Sequence, residues 1–259
     1  MLNFPVSANK NILYLLNQWT PLTLVFILIV AGCLASGPIG WAILGFVLLF
    51  NLIIRYRRIN QSKDSLRTLL HQKSPEAAIA FYQQQFSKLK SPMADSVRAL
   101  VIGQIYAFYG EFDSVRIQID SINWESRPPM QAAGRLSLQC LLEYFEFRDY
   151  EKGLALARQA RELGKLPLIF PGARQAKKSF DTYVEIGEIL TQRASQRTVK
   201  KLEAKLIKTV GLSEPFISWG LAIAYAYSNQ QPKSQLMRSL INSIAPDCKS
   251  LKTLPDLSR

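Results

Sequence analysis

Glu143 and Glu146 stand three residues apart, as do Glu185 and Glu188. On a helix that spacing brings two carboxylates to one face, which is what general acid–base chemistry asks for. Solvated helix faces produce the same spacing constantly, and nothing around either pair completes a reaction centre. His71 is the single histidine and lies among Leu69, Leu70 and Gln72, which excludes an HExxH zinc site and any histidine-rich metal cluster. Cys140 and Cys248 have no CxxC spacing and no neighbouring histidine; this argues against a zinc site or a disulfide framework and fits a reducing compartment. Gly164-Lys165 lacks the upstream glycine and the following Ser or Thr of a phosphate loop, and neither GxGxxG nor GxSxG occurs. The expectation is a chain with no catalytic residues, no metal and no cofactor, whose work is binding.

Charge offers a binding surface. The 259 residues carry 32 Lys+Arg against 19 Asp+Glu, a formal charge of +13. The excess is concentrated between Arg158 and Lys208, where 12 basic residues meet 5 acidic ones. Within that stretch Arg197, Lys201, Lys205 and Lys208 recur on one helical face with Lys200 beside them, while Val199, Leu202, Leu206 and Val210 form another. Such a basic amphipathic helix is suited to anionic headgroups or to an acidic partner. Nucleic acid is disfavoured as acceptor: no recognition motif is present, and the cations are not interleaved with stacking aromatics.

The elements that position these residues differ sharply along the chain. Between Lys10 and Arg55, 44 consecutive residues carry no charge. At about 1.5 Å rise per residue that length suffices for two crossings of a bilayer core about 30 Å thick. Gly37-Pro38-Ile39-Gly40 supplies a break. The expectation is an N-terminal segment 1–18, a transmembrane hairpin 19–54 with spans 19–36 and 38–54, and a juxtamembrane linker 55–61. Arg55, Arg57 and Arg58 after the second span, and Lys10 before the first, place both termini on the cytoplasmic side. Val30-Ala31-Gly32-Cys33 is similar to a lipoprotein lipobox, but the apolar run continues beyond Cys33.

From residue 62 onward apolar residues recur every three or four positions without sustained period-two alternation, which predicts an all-α domain over 62–246 followed by a C-terminal tail, 247–259. Ser74-Pro75, Ser91-Pro92 and Ser213-Glu214-Pro215 place a capping hydroxyl ahead of a first-turn proline. Gly103-x2-Tyr106-x3-Gly110-Glu111-Phe112-Asp113 resembles the tetratricopeptide repeat. Asp149-Tyr150-Glu151-Lys152-Gly153 with Ala157 and Ala160 looks like its turn and second helix, and Ala222-x2-Tyr225-x3-Asn229 like another first helix and turn. Turn positions at 73, 110, 148 and 229 leave room for one degenerate copy, with helices near 173–193 and 195–210.

The resemblance implies an α-solenoid of helical hairpins with a concave groove lined by the first helix of each pair. Carried onto this chain, the groove positions include Leu100, Gln104 and Phe108, then Arg135, Leu142 and Phe145, and finally Phe216, Trp219 and Tyr227. The carboxylate-clamping members of the family use Lys, Asn and Arg where this chain has Leu, Gln and Trp, so an apolar client helix is expected instead. The functional expectation is a membrane-anchored scaffold that captures a protein client, such as a membrane-complex subunit, in assembly or stabilisation. The alternatives are a permanent structural subunit of such a complex and a membrane-surface protein using the basic face.

Overall fold

Four left-handed backbone positions divide the chain into pairs of helices: Gly110 (φ +83°), Arg148 (+56°), Gln192 (+56°) and Asn229 (+57°). A computed structural model describes residues 37, 70–87, 92–165, 173–209 and 211–255, and within them every regular element is helical. The elements are α1 (Glu76–Ser87), α2 (Pro92–Tyr109), α3 (Phe112–Asp120), α4 (Pro129–Leu142), α5 (Tyr150–Leu163), α6 (Ala173–Leu190), α7 (Gln196–Leu206), α8 (Ser213–Tyr227), α9 (Gln231–Ile244) and the short α10 (Lys249–Lys252). A 3-10 turn, Trp124–Ser126, precedes α4, and a π-helical turn, Glu143–Phe147, extends it.

Each left-handed residue closes the first helix of a pair. At three of the four turns the amide after it bonds five residues back: Glu111 to the Tyr106 carbonyl at 2.9 Å, Arg193 to Glu188 at 2.7 Å, and Gln230 to Tyr225 at 2.8 Å. This satisfies carbonyls that a helix end otherwise leaves bare. Gly110 meets the positive φ without a Cβ penalty, and Asn tolerates it better than most residues. Gln192 supplies the turn of the degenerate pair, which carries no glycine there. Lys73, expected as a turn of the same kind, does not have a positive φ.

Second helices begin on side-chain caps in two cases. Asp149 accepts from the Lys152 amide at 3.0 Å and Ser195 from the Thr198 amide at 3.3 Å. The cap of α8 is Leu212 and makes no side-chain bond, so Ser213, expected as the cap, is the first helical residue.

Within pairs α2 packs on α3, α4 on α5 and α8 on α9, whereas α6 lies more extensively on α5 than on its own partner α7. Across pairs the first helices meet, α2 with α4 and α6 with α8. Gly103 explains the first of these approaches: a Cβ there would lie 2.8 Å from Leu138 Cδ2, inside any permissible contact. Residues 247–255, the described part of the stretch expected as a C-terminal tail, are packed instead. Cys248 and Leu251 are buried, Ser250 Oγ donates to the Ala107 carbonyl at 2.7 Å, and the Trp219 indole donates to the Thr253 carbonyl at 3.0 Å. Residues 248–253 thus strap α8 to α2.

The two-pass membrane placement is corrected. No helix among the described residues is long and apolar enough to cross a membrane. The longest, α2 and α6, have 18 residues and reach about 27 Å; α2 contains Asp95 and Arg98, and α6 is studded with charges from Arg174 to Glu188. The spans expected at 19–36 and 38–54, and the flanking Arg55, Arg57 and Arg58, lie outside the described residues. Of the expected hairpin tip only Gly37 is described, with φ +65°.

A single substitution tests what holds the first helices together. Phe216 is 2% exposed and its ring lies within 5.2–6.1 Å of four other aromatic rings. Phe216→Ala should cost about 3–5 kcal/mol of unfolding free energy, measured by urea denaturation followed by circular dichroism. An unchanged midpoint would show that the cluster does not hold the fold.

Candidate functional site

The expected client groove is filled by its own lining. Phe108 of α2 lies 5.9 Å from Phe216 of α8, Phe145 is 4.9 Å from Trp219, and Tyr183 of α6 is 5.2 Å from Phe216. Gln104 Nε2 donates to the Tyr183 hydroxyl across the same space. Phe108, Phe216 and Trp219 are at most 2% exposed, and Leu142 is buried as well. Leu100 packs against Gly134, at 3.3 Å from where a Cβ would stand. Arg135 is half-buried one turn beyond Gln131, whose Oε1 accepts from Ser96 at 2.6 Å. An apolar stripe has the same composition whether it awaits a partner or meets its own chain; here the first helices curve tightly enough to meet. Tyr227 lines an open cleft of about 500 Å³ between the ends of α6 and α8 and the start of α7, with Gln192, Val199 and Gln230 around it.

The basic residues of α7 divide in two. At 100° per residue, Thr198 and Leu202 mark the buried side. Lys205 lies next to that side, and its ammonium contacts Glu185 Oε2 at 2.5 Å and Thr182 Oγ1 at 3.2 Å. It is therefore part of the α6–α7 contact and not of a free basic face, which corrects the reading from spacing alone. Arg197, Lys200, Lys201 and Lys208 project to solvent, and none of them makes an ion pair with another described residue. Ile207, just past the helix, joins them at 85% exposure. Ile207 stands seven residues after Lys200 and so on the same helical side, a spacing present in the sequence.

The paired carboxylates are all engaged structurally. Glu143 accepts from the Lys152 ammonium at 2.6 Å, Glu146 takes Arg116 through both oxygens at 2.6 Å, and Glu188 accepts from Thr198 Oγ1 at 3.3 Å. Glu185, with Lys205, completes the four. Burial holds the Glu185 carboxyl above the ordinary carboxylate range even though Lys205 pulls it down, so desolvation outweighs the ion pair. His71 is exposed, and burial pushes the Cys248 thiol up to about 12 and Cys140 higher still. Among the described residues no group of His, Cys, Asp and Glu is arranged to hold a metal ion.

No family model matches the chain, and comparison with curated proteins and with solved structures finds no match.

Two measurements separate structural cations from surface ones. Lys205→Ala strands a largely buried carboxylate and should cost roughly 2–3 kcal/mol, below the full price of a wholly buried pair because Lys205 retains some solvent. Lys201→Ala and Lys208→Ala should stay within about 0.5 kcal/mol of the parent. The second measurement uses the sign of the Glu185 shift. A carboxyl whose folded pKa is raised binds its proton more tightly in the native state, so its contribution is present below the ordinary value of 4.5 and is lost as pH rises through the raised value. Glu185→Gln removes this contribution. Parent and variant melting temperatures, compared from pH 4 upward, should converge on neither side: the parent should lose stability relative to the variant as pH climbs past 4.5.

Proposed function

We propose that the chain is a tetratricopeptide-like helical-repeat scaffold that binds an acidic protein partner on the outer face of α7. The observation that carries this reading is a local imbalance of charge. Every carboxylate near that face has an internal partner: Glu185 with Lys205, Asp181 with Lys177 at 3.1 Å, Glu203 with the Tyr225 hydroxyl at 2.5 Å, and Glu188 with Thr198. Four cations and an exposed isoleucine face solvent there against only two carboxylates, Glu188 and Glu203, whose partners are neutral hydroxyls, so the face keeps a net positive charge.

The repeat part of the reading is supported by the succession of helix pairs, each first helix ending on a left-handed residue. Positions 110, 148, 192 and 229 are 37 to 44 residues apart, somewhat longer than the 34-residue period of that family. Repeat architecture supplies a rigid frame and no chemistry of its own, so function rests on the surface it presents. With the inner groove occupied, the outer face of α7 presents cations and an exposed isoleucine to solvent.

The magnitudes suit a reversible contact. Exposed ion pairs contribute roughly 0.2–1 kcal/mol each, and burying one isoleucine side chain adds about 1.5–3 kcal/mol. Such an association forms readily at low ionic strength and weakens as salt shortens the screening length from about 10 Å at 0.1 M to about 3 Å at 1 M.

The test is crosslinking in native extract followed by mass spectrometry, with the parent and with Arg197→Glu, Lys201→Glu and Lys208→Glu combined. The expected result is a small set of proteins with acidic surfaces, lost in the triple variant and in high salt, while the variant melts within a few degrees of the parent. An unchanged set in the variant sinks the proposal; a partner retained at fixed ratio through high salt makes the chain a permanent subunit instead.

A further inference from the structure

We infer that a second site, away from α7, binds a small oxyanion carried on a planar aromatic ring. The site is a cavity of about 210 Å³ between the turn after α2, the turn after α4 and the C-terminal strap. By the volume share of liquid water it has room for about seven waters, or for one ring with an acidic group attached.

Its walls are aromatic. Phe112, Phe145, Tyr150 and Trp219 line it, and edge or face contacts with such rings favour a flat apolar body. Its polar capacity is one-sided. The Trp219 indole and Ser250 hydroxyl are already committed to the Thr253 and Ala107 carbonyls. What remains is Arg148, Lys249 and the Tyr150 hydroxyl, none of which bonds to another described residue, and no Asp or Glu lines the cavity. Arg148 and Lys249 can only donate and the Tyr150 hydroxyl can donate as well, and a guanidinium fork beside an ammonium is the usual match for a carboxylate or phosphate. Arg148 lines the cavity from this turn and bears on the Tyr150 hydroxyl electrostatically.

The backbone at Arg148 gives the second, independent observation. It is left-handed at φ +56°, at a turn where Gly110 and Asn229 occupy the equivalent positions of other pairs. It also follows the π-helical turn Glu143–Phe147, and such turns are concentrated at functional positions. A long cationic side chain at a position that favours glycine costs stability locally, and the cavity gives that cost a use. The site shares no residue with the α7 face and stands or falls separately from it.

The test is isothermal titration calorimetry of the full chain with phenylacetate and phenyl phosphate, against acetate, inorganic phosphate and neutral phenylacetamide. The expected result is that at least one ring-bearing anion binds about tenfold or more tightly than its ringless counterpart and than the amide. Phenylacetate preferred over phenyl phosphate assigns a carboxylate ligand, and the reverse order a phosphate ester. Arg148→Gly is the decisive variant because glycine relieves the left-handed turn: it should melt at or above the parent temperature and lose binding about tenfold. Lys249→Ala should lose a similar factor. Equal affinity for ring-bearing and ringless anions overturns the inference, as does Arg148→Gly binding like the parent.

Discussion

The meeting of Phe108, Phe145, Tyr183, Phe216 and Trp219 is the contact on which the remaining architecture depends. These rings come from α2, from the turn after α4, and from α6 and α8, so one cluster joins four segments spread over more than a hundred residues. Aromatic pairs at such separations contribute about 0.5–1.5 kcal/mol beyond the apolar area they bury. The strap 248–253 then has a surface to lie on, and the Trp219 indole finds its acceptor there. An open superhelix of the same pairs would leave these rings in water. Their burial draws the first helices together and fills the groove that a looser curvature would present.

Closing the inside leaves the outer layer as the surface open to solvent. The inner helices hold side chains matched to one another, such as Gly103 beneath Leu138 and Gln104 against Tyr183, and a client cannot enter without undoing them. The outer layer obeys a different rule. On α7, Thr198 and Leu202 anchor the helix, Lys205 answers a buried carboxylate on α6, and the remaining cations face solvent. One amphipathic helix therefore carries both a structural ion pair and a surface of unbalanced charge. Which cation does which is decided by a rotation of 100° per residue about the helix axis.

The turns show a similar division of labour. All four first helices end on a left-handed residue, yet only one of those residues is glycine. Asn229 accepts the conformation at modest cost and Gln192 at a higher one, and Arg148 accepts it next to a π-helical turn and a cavity walled by aromatic rings. The departure from the simplest local solution thus coincides with a place where unpaired donors gather.

The sequence by itself determined the all-helical class, the start of the second helices at Asp149 and Ser195, and the turns at 110, 148 and 229. These depend on groups within about five residues of one another: a side-chain oxygen and a nearby amide, as where Asp149 caps the helix after the turn at 148, or a glycine or asparagine at positive φ, as at 110 and 229. The turn at Gln192 carried no such signature and showed only as a gap long enough for a further pair. The sequence also located the basic helix, because charge spacing is a local pattern. The tertiary structure alone decided that the groove aromatics form core, that Lys205 belongs to Glu185, that the expected tail is a strap, and that Arg148 and Lys249 face one cavity. Each of these joins residues from 20 to more than 140 positions apart, and apolar or cationic side chains have the same chemistry in sequence whatever they will touch. Their meaning is set by which helix faces are brought together, and that is a property of the packed chain.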